Sequence, residues 1–400
     1  MKTILIVGGG FPGLVTALSC AQLGYQVRLF DVKESLMDSQ NHAFKPIVIN
    51  ASSWRLFSAL GCSDQLIEYA YPLANMHVLR QDWARFSFNA DGHRFPYLGY
   101  VIMGHQLQNT ISEAVLAHPN ITCYLGVKLT ALDLKPKPQL TVGKRSFNGD
   151  LLVACDGMRS WCRQQQNIPY EQKSWHKKAM IIPTLMKEVS TDAYLRFTEF
   201  GTIACLPTQK SHHQLILTAQ SDHSLFTYES EHIQTLAQDL LGDIGQINHC
   251  EKPVVFDLQE GFAPQVATPG MVLLGDAGFS IPPVGAQGLN LAFYDIGVLA
   301  DLLAESLSTG QALASKRFAD RYNDIVMIHH KNLLDRVGYL VNLFNLQNPI
   351  LQVGHGLGLK IMNHVGLFKK YIAEFGMGLR YPVPSLLRGR QPDVYMRVKK

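Results

Sequence analysis

ILIVGGGFPGLVTALSCAQLGYQVRLFD, residues 4–31, decides how the chain begins to fold. The apolar run 4–7 predicts a buried strand, and the glycine-rich segment after it predicts a turn. Apolar residues then recur at helical spacing over 14–21, and Gly24 ends that helix. A second strand follows over 25–31. The stretch therefore predicts a β-α-β unit, which opens a parallel sheet covered by helices.

The turn carries three glycines at the spacing G-x-G-x-x-G, namely Gly8, Gly10 and Gly13. The first permits a tight turn, the second lets a pyrophosphate approach the backbone, and the third lets helix and strand pack closely. Asp31, at the end of the second strand, is placed to accept hydrogen bonds from ribose hydroxyls. The pattern indicates a bound dinucleotide and leaves NAD and FAD as alternatives.

A second acid follows the predicted strand of LLVACDGMRSWCR, residues 151–163. The strand ends on Asp156 and Gly157. On its own, Asp-Gly after a strand usually indicates a turn.

The third acid lies in VLLGDAG, residues 272–278, again a buried strand that ends on Gly-Asp. Asp276 is placed to bind a polyol hydroxyl, and small residues such as Gly288 leave room for a flat ring against the backbone. The N–H groups of Leu289 and Asn290, at a predicted helix start, face any negative charge on that ring.

A second sheet is predicted from extended stretches at 76–89, 192–198 and 213–219, two of which alternate apolar and polar residues as antiparallel strands do. An amphipathic helix follows from an N-cap at Ser230 to Gly242. From about residue 317 onward, the pattern is mostly helical. Two sheets of different character indicate two domains.

Composition excludes several classes of protein. The net charge is +4 and basic runs interleaved with aromatic residues are absent, which disfavours nucleic acid. Seven cysteines without a CxxC pair or a metal spacing favour reduced thiols in the cytoplasm. The uncharged runs 3–27 and 340–359 contain glycine, proline or amide residues, so we expect no transmembrane segment. Residues 380–400 hold six basic residues and one acid.

The three motifs resemble, in sequence and order, those of the FAD-dependent aromatic-ring monooxygenases with the p-hydroxybenzoate hydroxylase fold. Three further segments are similar to the ubiquinone-biosynthesis hydroxylase branch of that family. The quoted segments are GGGFPG (8–13), CDGMRS (155–160) and GDAGFSIPPVGAQGLN (275–290) for the fold, and 98–111, 193–207 and 340–379 for the branch.

The resemblance implies an α/β fold with a Rossmann-like FAD-binding domain, a mostly antiparallel substrate domain and a C-terminal helical segment. We expect a discontinuous FAD-binding domain, a substrate-binding sheet and a helical end. Their boundaries are 1–75, 95–170 and 265–330 for the first, 76–94 and 171–264 for the second, and 331–400 for the third.

Site residues follow from the same resemblance. Gly8, Gly10 and Gly13 meet the FAD pyrophosphate, Asp31 the adenosine ribose, and Asp276 the ribityl chain. Leu289 and Asn290 offer backbone N–H groups to the flavin. The remaining implied cofactor residues are Lys45, Gln108, Leu129 (by its backbone), Asp156, Gly157, Gly275 and Gly288.

The sequence departs from the family at five places. Asp31 replaces a glutamate, Lys45 and His105 replace arginines, and Phe279 stands where histidine is usual after Gly-Asp-Ala. Gly285-Ala286 inverts the usual small pair. Lysine lacks the forked donor geometry of arginine, so we expect these changes to affect flavin tuning and substrate choice.

The implied reaction uses NAD(P)H to reduce FAD, adds O₂ to give a C4a-hydroperoxyflavin, and hydroxylates a phenolic ring, such as that of a polyprenylated quinone precursor. The resemblance places Pro283 and Gly285 at the flavin face. Tyr194, Arg196 and Phe197 are candidates for the substrate pocket, although alternation along one strand explains them equally well.

Three alternatives stay open at the level of sequence. One is another FAD-dependent oxidoreductase on this fold, a reductase or a halogenase, although the W-x-W-x-I-P halogenase signature is absent. Another is a non-catalytic FAD-binding assembly subunit. The third concerns location: the basic tail suggests peripheral association with the inner membrane surface or with a biosynthetic complex, against a purely cytoplasmic protein.

Overall fold

The fold is described from a computed structural model, which describes residues 1–37, 45–80, 84–227, 232–281, 287–344, 365–380 and 382–394.

Strands and helices are numbered along the chain. The strands are β1 (Thr3–Val7), β2 (Gln26–Phe30), β3 (Pro46–Asn50), β4 (Tyr71–Leu73), β5 (Asn75–Arg80), β6 (Ala84–Asn89), β7 (Gly99–Met103), β8 (Ile121–Tyr124), β9 (Leu129–Asp133), β10 (Gln139–Val142), β11 (Arg145–Asn148), β12 (Leu151–Ala154), β13 (Glu171–Met186), β14 (Asp192–Phe197), β15 (Gly201–Gln209), β16 (His212–Gln220), β17 (Ile247–Cys250), β18 (Val254–Phe262), β19 (Ala267–Thr268), β20 (Met271–Leu273) and β21 (Phe279–Ser280). The helices are α1 (Phe11–Gln22), α2 (Ala51–Ala59), α3 (Ser63–Leu66), α4 (Gly104–Ala117), α5 (Trp161–Gln165), α6 (Ile233–Leu241), α7 (Gln287–Thr309), α8 (Lys316–Phe344) and α9 (Gly366–Gly376).

The first sheet has the strand order β19-β20-β12-β1-β2-β8. Its strands are parallel except for β19, which runs antiparallel to β20. All four residues of β12 are buried, as expected for a parallel strand covered on both faces. The predicted β-α-β opening is confirmed, and the largest apolar core surrounds this sheet.

The second large sheet has the order β21-β18-β13-β16-β15-β14-β5-β6, and β17 also pairs with β13. It is antiparallel except between β14 and β5, which confirms the mostly antiparallel sheet. The stretch 76–89 is two strands rather than one, since β5 pairs antiparallel with β6 from Asn75↔Asn89 to Arg80↔Ala84. The segment between the two strands lacks the glycine or proline that usually marks a hairpin turn, so the pattern did not reveal the reversal.

Helix ends agree with the sequence signals where they are described. Gly242 ends α6 with φ +60°, and Gly310 follows α7 with φ +74°. The predicted N-cap, Ser230, lies outside the described residues. Helices α8 and α9 confirm the helical C-terminal segment. Within the ranges described, no helix has the length and apolarity to cross a bilayer.

A small sheet of order β3-β7-β4 packs against the second large sheet. Its Leu73 and Val101 pack with Ala193, Leu206 and Ile216 of the second sheet. We call this face of β14, β15 and β16 the inner face. The opposite, outer face packs against α6. The domain boundaries given above remain predictions.

Candidate functional site

The three sequence motifs meet at the carboxyl edge of the parallel sheet. Strands β20, β12, β1 and β2 are neighbours in that order, and each is followed by one of the predicted loops. The Cys155 N–H donates to the Val7 carbonyl at 2.7 Å, and the Leu274 N–H donates to the Ala154 carbonyl at 2.9 Å. Ligands of open α/β sheets bind at this edge, so the topology brings the motifs together where a nucleotide can reach all of them.

The glycines of the first motif differ in their surroundings: two of them pack against backbone, and one leaves room for a ligand. A Cβ on Gly8 would lie 2.3 Å from the Cys155 carbonyl oxygen, and one on Gly13 would lie 1.8 Å from the Gly8 oxygen. At Gly10, the nearest atom would be Cδ of Pro12 at 4.0 Å. The space over Gly10 is therefore open, as a pyrophosphate against the backbone requires.

Asp31 supports this loop and keeps capacity for a ligand. It accepts hydrogen bonds from the Gly9 N–H, and from the Lys33 N–H at 2.7 Å. A carboxylate has about four acceptor positions, so lone pairs remain for ribose hydroxyls.

Asp156 contains an acceptor that lacks a partner. Its Oδ2 accepts from the Cys162 N–H at 3.0 Å, whereas its Oδ1 is buried and has no hydrogen-bond partner among the described residues. Gly157 beside it has φ +78°, which favours glycine. A buried acceptor without a donor is costly, so a hydroxyl or amide of a bound ligand fits here.

Asp276 stands at the opposite end of the row of loops from Asp31. Gly275, with φ +62°, lies against the start of α1, where a Cβ would be 3.0 Å from Pro12. Asp276 is exposed by surface area, yet neighbouring protein atoms surround its carboxyl group. The loss of solvation there raises the pKa of its carboxyl, and a hydrogen bond with Ser280 opposes that rise. Three strand spacings, roughly 14 Å, separate β20 from β2.

The first turn of α7 contains Gly288, Leu289 and Asn290. The N–H groups of a first helical turn have no partner within the helix, so they can donate hydrogen bonds to the negatively charged edge of a bound ligand. Asn290 has a structural role as well. Its side chain accepts from the Asn50 N–H at 3.1 Å and donates to the Val48 carbonyl at 2.8 Å, which fixes the helix start to β3.

Lys45, Gln108 and Leu129 have different surroundings. The Lys45 side chain is exposed, and its carbonyl accepts from the Gly104 N–H at 2.9 Å. Gln108 donates from Nε2 to the Gly9 and Leu36 carbonyls, both at 2.9 Å, so only its oxygen remains for a ligand. Leu129 is half-buried at the start of β9.

Arg163 and Tyr170 join the second motif to the third, a role that the sequence did not reveal. The buried Arg163 donates to the Ala277 carbonyl at 2.6 Å and to the Met158 carbonyl at 2.8 Å. Its guanidinium lies 3.7 Å from the Tyr170 ring centre, and the Tyr170 hydroxyl donates to the Asp276 carbonyl at 3.3 Å. Burial raises the pKa of Tyr170 to about 12, against the charge of Arg163.

Tyr194, Arg196 and Phe197 are not brought together. Tyr194 and Arg196 are on the outer face, where Tyr194 packs with the α6 cluster and Arg196 pairs with Asp243 at 2.6 Å. Phe197 is on the inner face, packed with residues of β5, β6 and α9. Alternation along β14 separates them. Pro283 and Gly285 lie outside the described residues, so their roles stay a prediction.

Fold and loops together define a protein that binds FAD at the carboxyl edge of its parallel sheet. A family model described as FAD binding domain matches residues 1–337. The chain belongs to this family of FAD-binding proteins.

With its relatives, the family assigns the chain to the FAD-dependent aromatic-ring hydroxylases, monooxygenases that take their reducing equivalents from NAD(P)H, and a solved structure shares the fold. The chain is 27% identical to the 3-demethoxyubiquinol 3-hydroxylase of Escherichia coli (strain K12), over 94% of this chain and 98% of that protein. It is 23% identical to the human mitochondrial ubiquinone biosynthesis monooxygenase COQ6, over 93% and 92%. The p-nitrophenol 4-monooxygenase PnpA of Pseudomonas putida DLL-E4 shares the fold with a TM-score of 0.76, at 15% identity over 95% of this chain and 100% of that one.

Proposed function

We propose that the ring hydroxylated by this enzyme belongs to a neutral, lipophilic phenol of the polyprenylated quinone-precursor type. Relatives that match nearly the full chain include a 3-demethoxyubiquinol 3-hydroxylase, a ubiquinone hydroxylase and a ubiquinone biosynthesis monooxygenase, which supports a substrate of this class.

The observation that carries the proposal is the uncharged inner face beside the small sheet. Leu195, Ala204 and Ile216 are cross-strand neighbours on this face, and each is half-buried. A carboxylated ring would need a cation or several donors to replace its hydration. Away from the ends of β16, where His212 and Gln220 lie, no charged side chain occurs at the inner-face positions Ala193, Leu195, Phe197, Thr202, Ala204, Leu206, Gln214, Ile216 and Thr218.

Bound FAD supplies the redox chemistry, accepting hydride from NAD(P)H and activating O₂. The side chains of this protein would hold the cofactor and orient the phenol ring beside it. Asp31 and Asp276 bind at the two ends of the cofactor, and Asp156 accepts a hydrogen bond between them. The apolar inner face excludes water from the ring, and Thr202 and Thr218, with their hydroxyl oxygens 2.5 Å apart, offer hydrogen bonds to a phenol.

The test in cells is mass spectrometry of the quinone precursors that accumulate when the gene is deleted. We expect a polyprenylated phenol that lacks one ring hydroxyl. In vitro, the purified enzyme should couple NAD(P)H and O₂ consumption to such a phenol in preference to a carboxylated one. Tight FAD binding without turnover of any phenol would contradict the proposal and favour an assembly subunit.

A matched pair of variants tests the inner face. Leu195→Arg places a cation on it, whereas Tyr194→Phe changes the next residue on the outer face. We expect Leu195→Arg to raise KM for the neutral phenol at least tenfold with FAD affinity unchanged, and Tyr194→Phe to leave KM unchanged. Equal KM values for the two variants would contradict the assigned face.

We further propose that the chain docks peripherally on an anionic membrane surface, where a lipophilic substrate resides. Two apolar residues at the start of α9, Val365 (44%) and Leu367 (83%), are exposed beside Lys369 and Lys370. Apolar and basic side chains side by side are typical of interfacial helices. Leu367→Glu should reduce co-sedimentation with anionic vesicles, and unchanged binding would count against this surface.

A further inference from the structure

A buried histidine–aspartate pair lies directly behind the third motif. His330 of α8 places Nε2 3.0 Å from both carboxylate oxygens of Asp295 of α7. The two side chains are 2% and 5% exposed. Burial raises the pKa of Asp295, and His330 opposes that rise. Donation to the carboxylate assigns a proton to Nε2.

The His330 ring packs against Phe279, with ring centres 4.3 Å apart. Phe279 stands where the family that the sequence resembles usually has histidine. It also contacts an apolar cluster contributed by α7, α8 and α9, which contains Leu291, Leu333 and Phe375. An imidazole of α8 therefore packs against the residue that stands at this position.

Phe279 is connected to the residue that meets the cofactor. Ala277 and Gly278 alone separate Asp276 from Phe279 in sequence, and Ser280, the next residue of β21, opposes the rise in the pKa of the Asp276 carboxyl. The contacts therefore run from Asp295 through His330 to Phe279, which lies three residues from Asp276 in the same segment of chain. A displacement of the Phe279 ring would move the segment that holds the ribityl end of FAD.

We propose that Asp295 and His330 are positioning residues for the flavin, fixing the orientation of Phe279 and with it the Asp276–Ser280 segment. Hydrogen bonding on both carboxylate oxygens fixes the imidazole plane, and the imidazole fixes the ring that packs on it. An apolar pair of similar volume would fill the space without fixing that plane. The inference depends on the FAD site and is independent of which ring is hydroxylated.

The test is a double variant, Asp295→Leu with His330→Phe, which leaves no buried charge. Replacing a buried pair by apolar residues is often neutral for stability, so we expect the apoprotein to fold. FAD should bind at least tenfold more weakly, ADP should bind as before, and the visible spectrum and midpoint potential of bound flavin should shift. The ADP comparison separates an effect at the ribityl end from general loss of structure.

Two further variants test whether the effect is specific to this His–Asp pair. Asp295→Asn keeps the side-chain volume, and it tests the positioning role if the double variant does not fold. We expect this variant to bind FAD about threefold more weakly and to shift the flavin spectrum. The matched control is His77→Phe with Asp192→Leu, a His–Asp pair at 3.0 Å in the second sheet. This control should leave FAD binding unchanged. Wild-type FAD affinity and spectrum in a folded Asp295 variant would overturn the proposal.

Discussion

Gly10 and Gly13 belong to the same loop, yet a methyl group would meet different surroundings at each. Gly10 has φ −76° and ψ 179°, a conformation open to any residue, and it faces open space. Gly13 packs against the Gly8 carbonyl. The motif spacing predicted the close packing at Gly8 and Gly13, because each of these glycines meets backbone, whereas the pyrophosphate contact of Gly10 stays a prediction.

Gly10→Ala and Gly13→Ala should therefore separate binding from folding. We expect Gly10→Ala to keep the melting temperature of the apoprotein while weakening FAD binding about tenfold, or about 1.4 kcal/mol. Gly13→Ala should destabilise the apoprotein by about 3 kcal/mol, because the clash is with backbone. Calorimetric titration and thermal unfolding measure both; equal loss of stability in the two variants would contradict this account.

His329, on α8, gives a pH dependence with a defined sign. Its ring stacks on Tyr294 with centres 3.5 Å apart. Burial, with the nearby charges of His330 and Arg336, lowers the pKa of His329 from 6.5 to about 3. A lowered pKa means that the folded state disfavours the proton, so stability is full above the unfolded pKa and falls as the pH drops from 6.5 towards about 3.

We expect this single proton to contribute a slope of up to about 1.4 kcal/mol per pH unit in that window. His329→Phe keeps a ring on Tyr294 and should flatten the slope. Urea unfolding at a series of pH values provides the measurement. A variant whose stability depends on pH as steeply as the wild type would show that other groups dominate.

Sequence patterns predicted the ends of helices, but they did not predict which face of a strand packs against which neighbour. Helical spacing and terminal glycines gave the ends of α6 and α7, because those signals are local. The outer and inner faces of β14 could not be assigned, since alternation gives two faces without saying which one meets the cofactor domain. The bridge by Arg163 and Tyr170 joins loops that are distant in sequence, and no local pattern marks it.

From the bridge, we expect a substitution of Arg163 to lower both stability and FAD affinity, and a substitution of the neighbouring Arg159 to lower neither. Arg163→Met would leave the Ala277 and Met158 carbonyls without their donor, at a cost of about 3 kcal/mol, and would loosen the second motif from the third. We expect weaker FAD binding and a lower melting temperature. Arg159→Met, at an exposed position of the same motif, is the control and should change neither. Similar losses in both variants would argue against the bridge.

At the scale of the molecule, strand order explains why motifs far apart in sequence form one site. β20, β12, β1 and β2 are adjacent, so the loops that follow them lie in a row from Asp276 to Asp31. The sequence predicted the row through buried strands that each end on an acid or a glycine. It did not predict the support behind the row from α8 and α9, because those contacts depend on tertiary packing.

The central claim is that Asp31 and Asp276 bind opposite ends of one dinucleotide. The most direct measurement is calorimetric titration of Asp31→Ala and Asp276→Ala with FAD, ADP and FMN. We predict one FAD per wild-type chain and weaker FAD binding in both variants. ADP binding should fall only in Asp31→Ala, and FMN binding only in Asp276→Ala. Wild-type FAD affinity in either variant would contradict the claim.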